Sequence, residues 1–499
     1  MNIGESHPDS LKAAFAARNV WHANRSSAIF AVRLREGCDL LVAYLNYWAL
    51  KNRIDSVRRI VRLYDEAGQL YGRHDEQVSG NGADFSVRNL FALAADFDGM
   101  VEVEFISTDN LRFSFPAIQG FYRAGDAFST VHSAGRVVNT DEPQAAPRPS
   151  RESNWICKFA EGITPFFHVF RSGLATAPVT IDVEVLSPDS EVLFSAQLAG
   201  LLKGPFSSKL LLLDDIFPEL ASHRPEAGSY CRVTVPREGI FPRLVVGNLH
   251  RANNLLEVTH SFAQQDGQDF VAKPDGVDLA SFIPGIKPEQ LDLALYSFPT
   301  NAASPVSASL RRQGTADARM QPTGETMQWL AGGPGSRLFR YELAENDRLM
   351  SLDLTGAQVP SRLNVSYQFS VPGSPYSTDI ATGAKSCAYP PKHSHWGTGV
   401  VGAGFRTLLM ARNMSHTPAA TKRSQGTVKL WLQDQDMQQR ELEIEAEAGA
   451  FWTIDISAWT VDGSKPYFVH WLANFDQPSI EIFWVSYADD GRICGDHSF

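Results

Sequence analysis

The sequence predicts an all-β fold, a tandem array of about four antiparallel β-sandwich domains with a short N-terminal helix, and three observations carry that prediction. Short runs alternate apolar and polar side chains far more often than they show a 3.6-residue apolar period. A weak repeat of about 120 residues runs through the chain, near the size of one sandwich. Pro- and Gly-rich segments fall where that repeat needs boundaries.

In chain order, Asp9 to Arg18 follows a Pro-Asp-Ser cap signal and is expected to be helical, and Val57 to Arg62 reads as a basic strand. Val101-Glu-Val-Glu-Phe105 alternates as a half-buried antiparallel strand must. Val179, Ile181, Val183 and Val185 share one face and Thr180, Asp182 and Glu184 the other; Val428 to Leu432 and Leu442 to Ala446 follow the same rule. Acidic turns recur at Leu63 to Gly68, Leu186 to Glu191 and Leu432 to Met437. Each is followed by a landmark: Val87 to Phe91, Leu213 to Phe217 and Ile454 to Ser457. Closing strands are expected at Phe128 to Ser133, Leu256 to Phe262, Leu363 to Phe369 and Ile480 to Tyr487.

These marks divide the chain into unit 1 (1–138), a linker (139–153), unit 2 (154–264), a degenerate unit 3 (265–372), a second linker (373–399) and a Trp-rich unit 4 (400–499). The 499 residues are 43% hydrophobic and 11% aromatic, enough to build cores and exclude a disordered chain. A net charge of −11, from 45 basic and 56 acidic residues, offers no footprint for nucleic acid. The first residues lack an apolar signal segment and no window is apolar enough to span a membrane, so a cytoplasmic protein without a transmembrane segment is expected. The five cysteines form no Cys-x-x-Cys pair and are expected to be reduced, buried thiols.

Three patterns bear on chemistry. His-Ser recurs at His132-Ser133, His260-Ser261 and, outside the expected repeat register, His497-Ser498. Neighbours on a strand point to opposite faces, so these histidines cannot activate their own serines and read as strand-end caps. Cys387, His393 and His395 share one Pro-flanked loop; His-x-His puts two imidazoles on one side, and His497 in the tail is a further candidate ligand. The glycines of Gly397 to Gly404 lack the strand–turn–helix context of a phosphate loop. Six of the ten tryptophans lie at or beyond Trp396. Trp396 and Trp459 sit in polar loops, and Tyr44 and Trp48 form a second aromatic set, so these four are the candidate ligand-binding rings.

Phe166-Phe-His-Val-Phe170, Val179 to Val185, the Ser187-Pro-Asp189 turn and Leu213-Asp-Asp-Ile216 resemble, in strand pattern, the small cytoplasmic β-sandwich family of sensory rhodopsin transducers. Those proteins are single-domain and oligomeric, so the resemblance implies a four-copy chain packed as a pseudo-oligomer, with no functional motif carried over. The expected function is a non-catalytic binding or scaffold protein for a carbohydrate or protein partner, without a cofactor and able to form homo-oligomers through strand edges. The alternative is a metal-dependent enzyme whose divalent transition metal is held by Cys387, His393, His395 and His497.

Overall fold

The computed structural model describes residues 23–499 except 133–134, 138–148, 174–177, 237–239, 242, 264–269, 272–290, 298–305, 314–319, 330–338, 343–349, 356–358, 361, 386–392, 414–423, 433–439, 447–450, 461–462 and 477–479. The Asp9 to Arg18 helix and Cys387 lie outside the described residues. The protein is all-β: the ladders are antiparallel, and the described helices are single turns or little more.

One strand order recurs along the chain. Unit 1 contributes Arg25–Leu34, Cys38–Leu45, Arg58–Asp65, Leu70–Gln77, Gly82–Ser86, Phe97–Ile106, Ile118–Ala124 and Ala127–His132. Its first, sixth, third and fourth strands form one sheet, and its fifth, second, seventh and eighth form the other. In unit 2, Pro149–Ile156, Ile163–Phe170, Thr180–Leu186, Val192–Ala199, Ser208–Leu212, Tyr230–Pro236, Val245–His250 and Leu255–His260 pair in the same order. So do Ser394–Val401, Arg406–Asn413, Ser424–Leu432, Arg440–Ala446, Phe451–Asp455, Tyr467–Phe475, Ile480–Tyr487 and Ile493–His497 in unit 4. In unit 3, Asp292–Ser297, Val306–Gln313, Met320–Trp329, Phe339–Glu342, Met350–Thr355, Arg362–Ser370 and Ser377–Lys385 take the second to eighth places.

Alternation explains which side chains enter each sandwich. In Thr180–Leu186, Ile181, Val183 and Val185 enter the unit 2 core, while Asp182 and Glu184 meet Gln197 and Arg232 on the other face. Asn46 caps the short helix Tyr47–Asn52, which ends where Arg53 turns left-handed, at φ 58°.

The units are not independent beads. The unit 1 core runs on into Phe166, Leu212, Val245 and Val258 of unit 2 and into Trp431 and Leu472 of unit 4. The eighth strands carry the closest inter-unit packing. Ala127–His132 lies against Leu255–His260 and Ile493–His497, and Ser377–Lys385 touches those same two strands from the far side. Four eighth strands thereby close a ring.

Two sequence readings change. Leu363 to Phe369 and Ile480 to Tyr487 belong to seventh strands; the eighth strands of units 3 and 4 are Ser377–Lys385 and Ile493–His497. Both arms of a hairpin alternate alike, so pattern alone does not separate the seventh from the eighth strand. The segments read as linkers also hold strands: Pro149–Ile156 begins within 139–153, and Ser377–Lys385 and part of Ser394–Val401 occupy 373–399.

Candidate metal centre

At the ring's centre, the eighth strands of units 1, 2 and 4 each end on a histidine: His132, His260 and His497. Pairing sets them opposite Gln119, Val245 and Phe483 of the respective seventh strands. Each imidazole thus sits at the C-terminal end of its eighth strand, and ring closure brings the three together. One ligand atom from each lies within 4.8 Å of the others. The His132 ring centroid is 4.6 Å from that of His260 and 4.4 Å from that of His497. His132 and His260 are buried, and His497 is half-buried.

Each imidazole has its Nδ1 occupied by an oxygen. His132 Nδ1 lies 3.0 Å from Asp496 Oδ2 and 3.1 Å from Oδ1. His260 Nδ1 meets the Ser261 carbonyl at 2.8 Å, and His497 Nδ1 the Ser498 carbonyl at 3.0 Å. Carbonyl and carboxylate oxygens only accept, so Nδ1 carries the proton and a neutral ring holds its lone pair on Nε2. For His260 that Nε2 is buried without a hydrogen-bond partner.

Electrostatics keep the His260 ring neutral and Asp496 ionised. Burial, then the Arg243 guanidinium and His132, push the His260 imidazolium well below the ordinary histidine range, leaving the ring neutral. Burial alone would raise the Asp496 carboxyl, but His132 and His497 outweigh it and hold the group below the usual carboxylate range. Asp496 also accepts the His497 backbone N–H at 2.7 Å. Nδ1–H held by a carboxylate or carbonyl, with Nε2 left bare, is the tautomer that metal-binding histidines adopt. A tetrahedral ion with bonds of ~2.0–2.1 Å needs nitrogens roughly 3.4 Å apart, a gap that small side-chain rotations close.

Of the candidate ligands and binding rings singled out in the sequence, His497 belongs to this centre and the other described ones lie elsewhere. His393 is exposed with Nδ1 on the Phe475 carbonyl, and buried His395 directs Nδ1 to Ser498 Oγ at 2.8 Å. His497 therefore joins His132 and His260 instead of the His-x-His pair: the strand Ser394–Val401 pairs with Tyr467–Phe475, in the other sheet of unit 4. Trp48 is fully buried between Tyr47 and Phe105, and the Tyr44 hydroxyl oxygen accepts from Arg59 Nη1 at 3.2 Å. Trp396 is 7% exposed, stacked on Tyr47 at 5.1 Å and covered by Lys51 Nζ. Trp459 ends the turn Ile456–Trp459 and packs, partly buried, on the unit 4 core. These rings fill inter-sheet and inter-unit space and form no open stacking platform. The four described cysteines are free and buried.

A second polar cluster joins units 2 and 3. Buried Glu257 receives Lys158 Nζ at 2.7 Å, His250 Nε2 at 2.9 Å and Ser377 Oγ at 2.8 Å, with Asp379 close by. The sequence signal for the histidine centre is the repeated His-Ser pair itself. Glu257 and Asp379 carry no such mark, since a single acidic residue in a strand reads as solvent-facing.

No family model matches the chain, and no curated protein matches it. Among solved structures, native Escherichia coli α-2-macroglobulin aligns with 92% of this chain and 28% of its own, at 11% identity and a TM-score of 0.09. The trypsin-activated form gives 11% identity, 92% and 30% coverage and a TM-score of 0.10; Bacteroides uniformis β-glucuronidase gives 12%, 51% and 27%, and 0.09. The chain spans less than a third of each of these proteins, and likenesses of this size carry no argument about function. Among the described residues, no helix is long and apolar enough to cross a membrane.

Proposed function

We propose that this protein is a metal-binding scaffold, in which one divalent transition metal, held by His132, His260 and His497, pins the ring of β-sandwiches at its centre. The observation that carries the reading is the convergence of three imidazoles from three units, each with Nδ1 engaged by an oxygen and with the buried Nε2 of His260 unpartnered. A buried lone pair without a donor is costly, and a Lewis acid satisfies it. Imidazole donors suit zinc, copper, nickel and cobalt over magnesium or calcium. Because the ligands come from units 1, 2 and 4, binding free energy acts on ring closure.

Full-length protein stripped with chelator should take up one equivalent of Co2+, giving visible d–d absorption, and metal should raise its thermal midpoint. His260→Gln should abolish the absorption while far-UV circular dichroism stays unchanged. A wild-type protein that shows no stoichiometric uptake of Co2+ or Zn2+ would overturn the proposal.

A further inference from the structure

Resting on the metal reading, we infer that the fourth coordination position of this centre takes a small exogenous anion. The ring has four eighth strands, but the unit 3 strand, Ser377–Lys385, contains no histidine or cysteine, so among the described residues the symmetry that brings three imidazoles together supplies no fourth. Among the described residues, the cluster contains His132, His260 and His497 alone. Three protein ligands and one open position is the arrangement of zinc sites that bind an outside ligand, whereas structural sites close with four.

Charge favours an anion in that position. Three neutral imidazoles leave the ion's two positive charges uncompensated. Asp496, on His132 Nδ1, supplies one negative charge. The ion, its three imidazoles and Asp496 together carry a net positive charge, and a buried excess is costly unless an opposite charge joins it. An anionic fourth ligand lowers that cost, whereas a neutral one leaves it in place.

Size narrows the class further. Phe499 lies 5.8 Å from the His132 ring and 6.4 Å from that of His497, and Phe262 is 5.4 Å from His260. These apolar walls restrict the ligand to a few heavy atoms, and half-buried His497 marks the side nearest solvent. The ligand class is a small monovalent anion of the size of hydroxide, azide or a short carboxylate.

The experiment uses full-length protein loaded with one equivalent of Co2+ and titrated with sodium azide at neutral pH. The expected result is a saturable change in the d–d spectrum, with chloride at equal ionic strength as the control. Stoichiometric Co2+ binding with a spectrum that azide does not move overturns this inference and leaves the metal reading standing. Failure to bind Co2+ overturns both.

Discussion

Replacing Asp379 with asparagine should stabilise the protein, and by an amount that depends on pH. Asp379 lies on the eighth strand of unit 3, buried, with Oδ1 accepting the Gln368 amide at 2.9 Å. Burial, and then the neighbouring Glu257 carboxylate, push its carboxyl up to about 7 from an ordinary 3.8, against the opposing pull of Lys158. The folded protein thus keeps a proton that the unfolded chain releases near pH 4. Between those values the native state binds more protons than the unfolded state, so stability falls as pH rises from about 4 to about 7 and then levels off. At ~1.4 kcal/mol per pKa unit the full cost of ionisation is on the order of 4 kcal/mol, of which ~1.5 is already present at pH 5. Asparagine has the same shape, keeps an oxygen for Gln368 and never ionises. Urea midpoints of wild type and Asp379→Asn, compared at equal m-value, should diverge by a further ~2–3 kcal/mol in the variant's favour between pH 5 and pH 8. A difference that is the same at both pH values would refute the placement of a destabilised buried carboxyl at this interface.

Three further outcomes follow from the packing. Lys158→Met takes the ammonium from buried Glu257, whose carboxyl Lys158 and His250 hold below the usual range against the cost of burial. It should cost about 3–5 kcal/mol at pH 7 in urea unfolding, shrinking as pH falls toward 4 and the stranded carboxylate takes up a proton. Trp396→Ala should lower stability by ~3–5 kcal/mol through the void left against Tyr47; an unchanged thermal midpoint would show that the indole is not a packing element. Gly247→Ala would drive a methyl group into the Glu257 carbonyl oxygen across the seventh–eighth hairpin. Soluble yield and urea midpoint should both drop sharply, and wild-type values for both would contradict the register of that hairpin.

How far the sequence can be read follows from the range of each signal. Alternation in Val179 to Val185 is local, because period two depends only on the pleat, and the strand Thr180–Leu186 follows directly. The same locality limits it: hairpin partners look alike, so alternation closes unit 4 one strand too early, at Ile480 to Tyr487, and leaves His497 outside the repeat register. Trp48 and Tyr44 offer polar tips and apolar faces, suited to a ligand or a core, and the choice rests on the sheet packed over them, which no neighbouring residue announces.

By itself, then, the sequence determined the all-β class, the alternating strands and the recurrence of His-Ser at strand ends, since each is written within a few consecutive residues. Only the tertiary structure decided that His132, His260 and His497, drawn from three units, share one centre, that the His393 and His395 pair faces elsewhere, and that Glu257 and Asp379 are buried together. The physical reason is that these groupings depend on closure of a ring by four eighth strands, a contact between residues hundreds of positions apart that leaves no local periodicity to read.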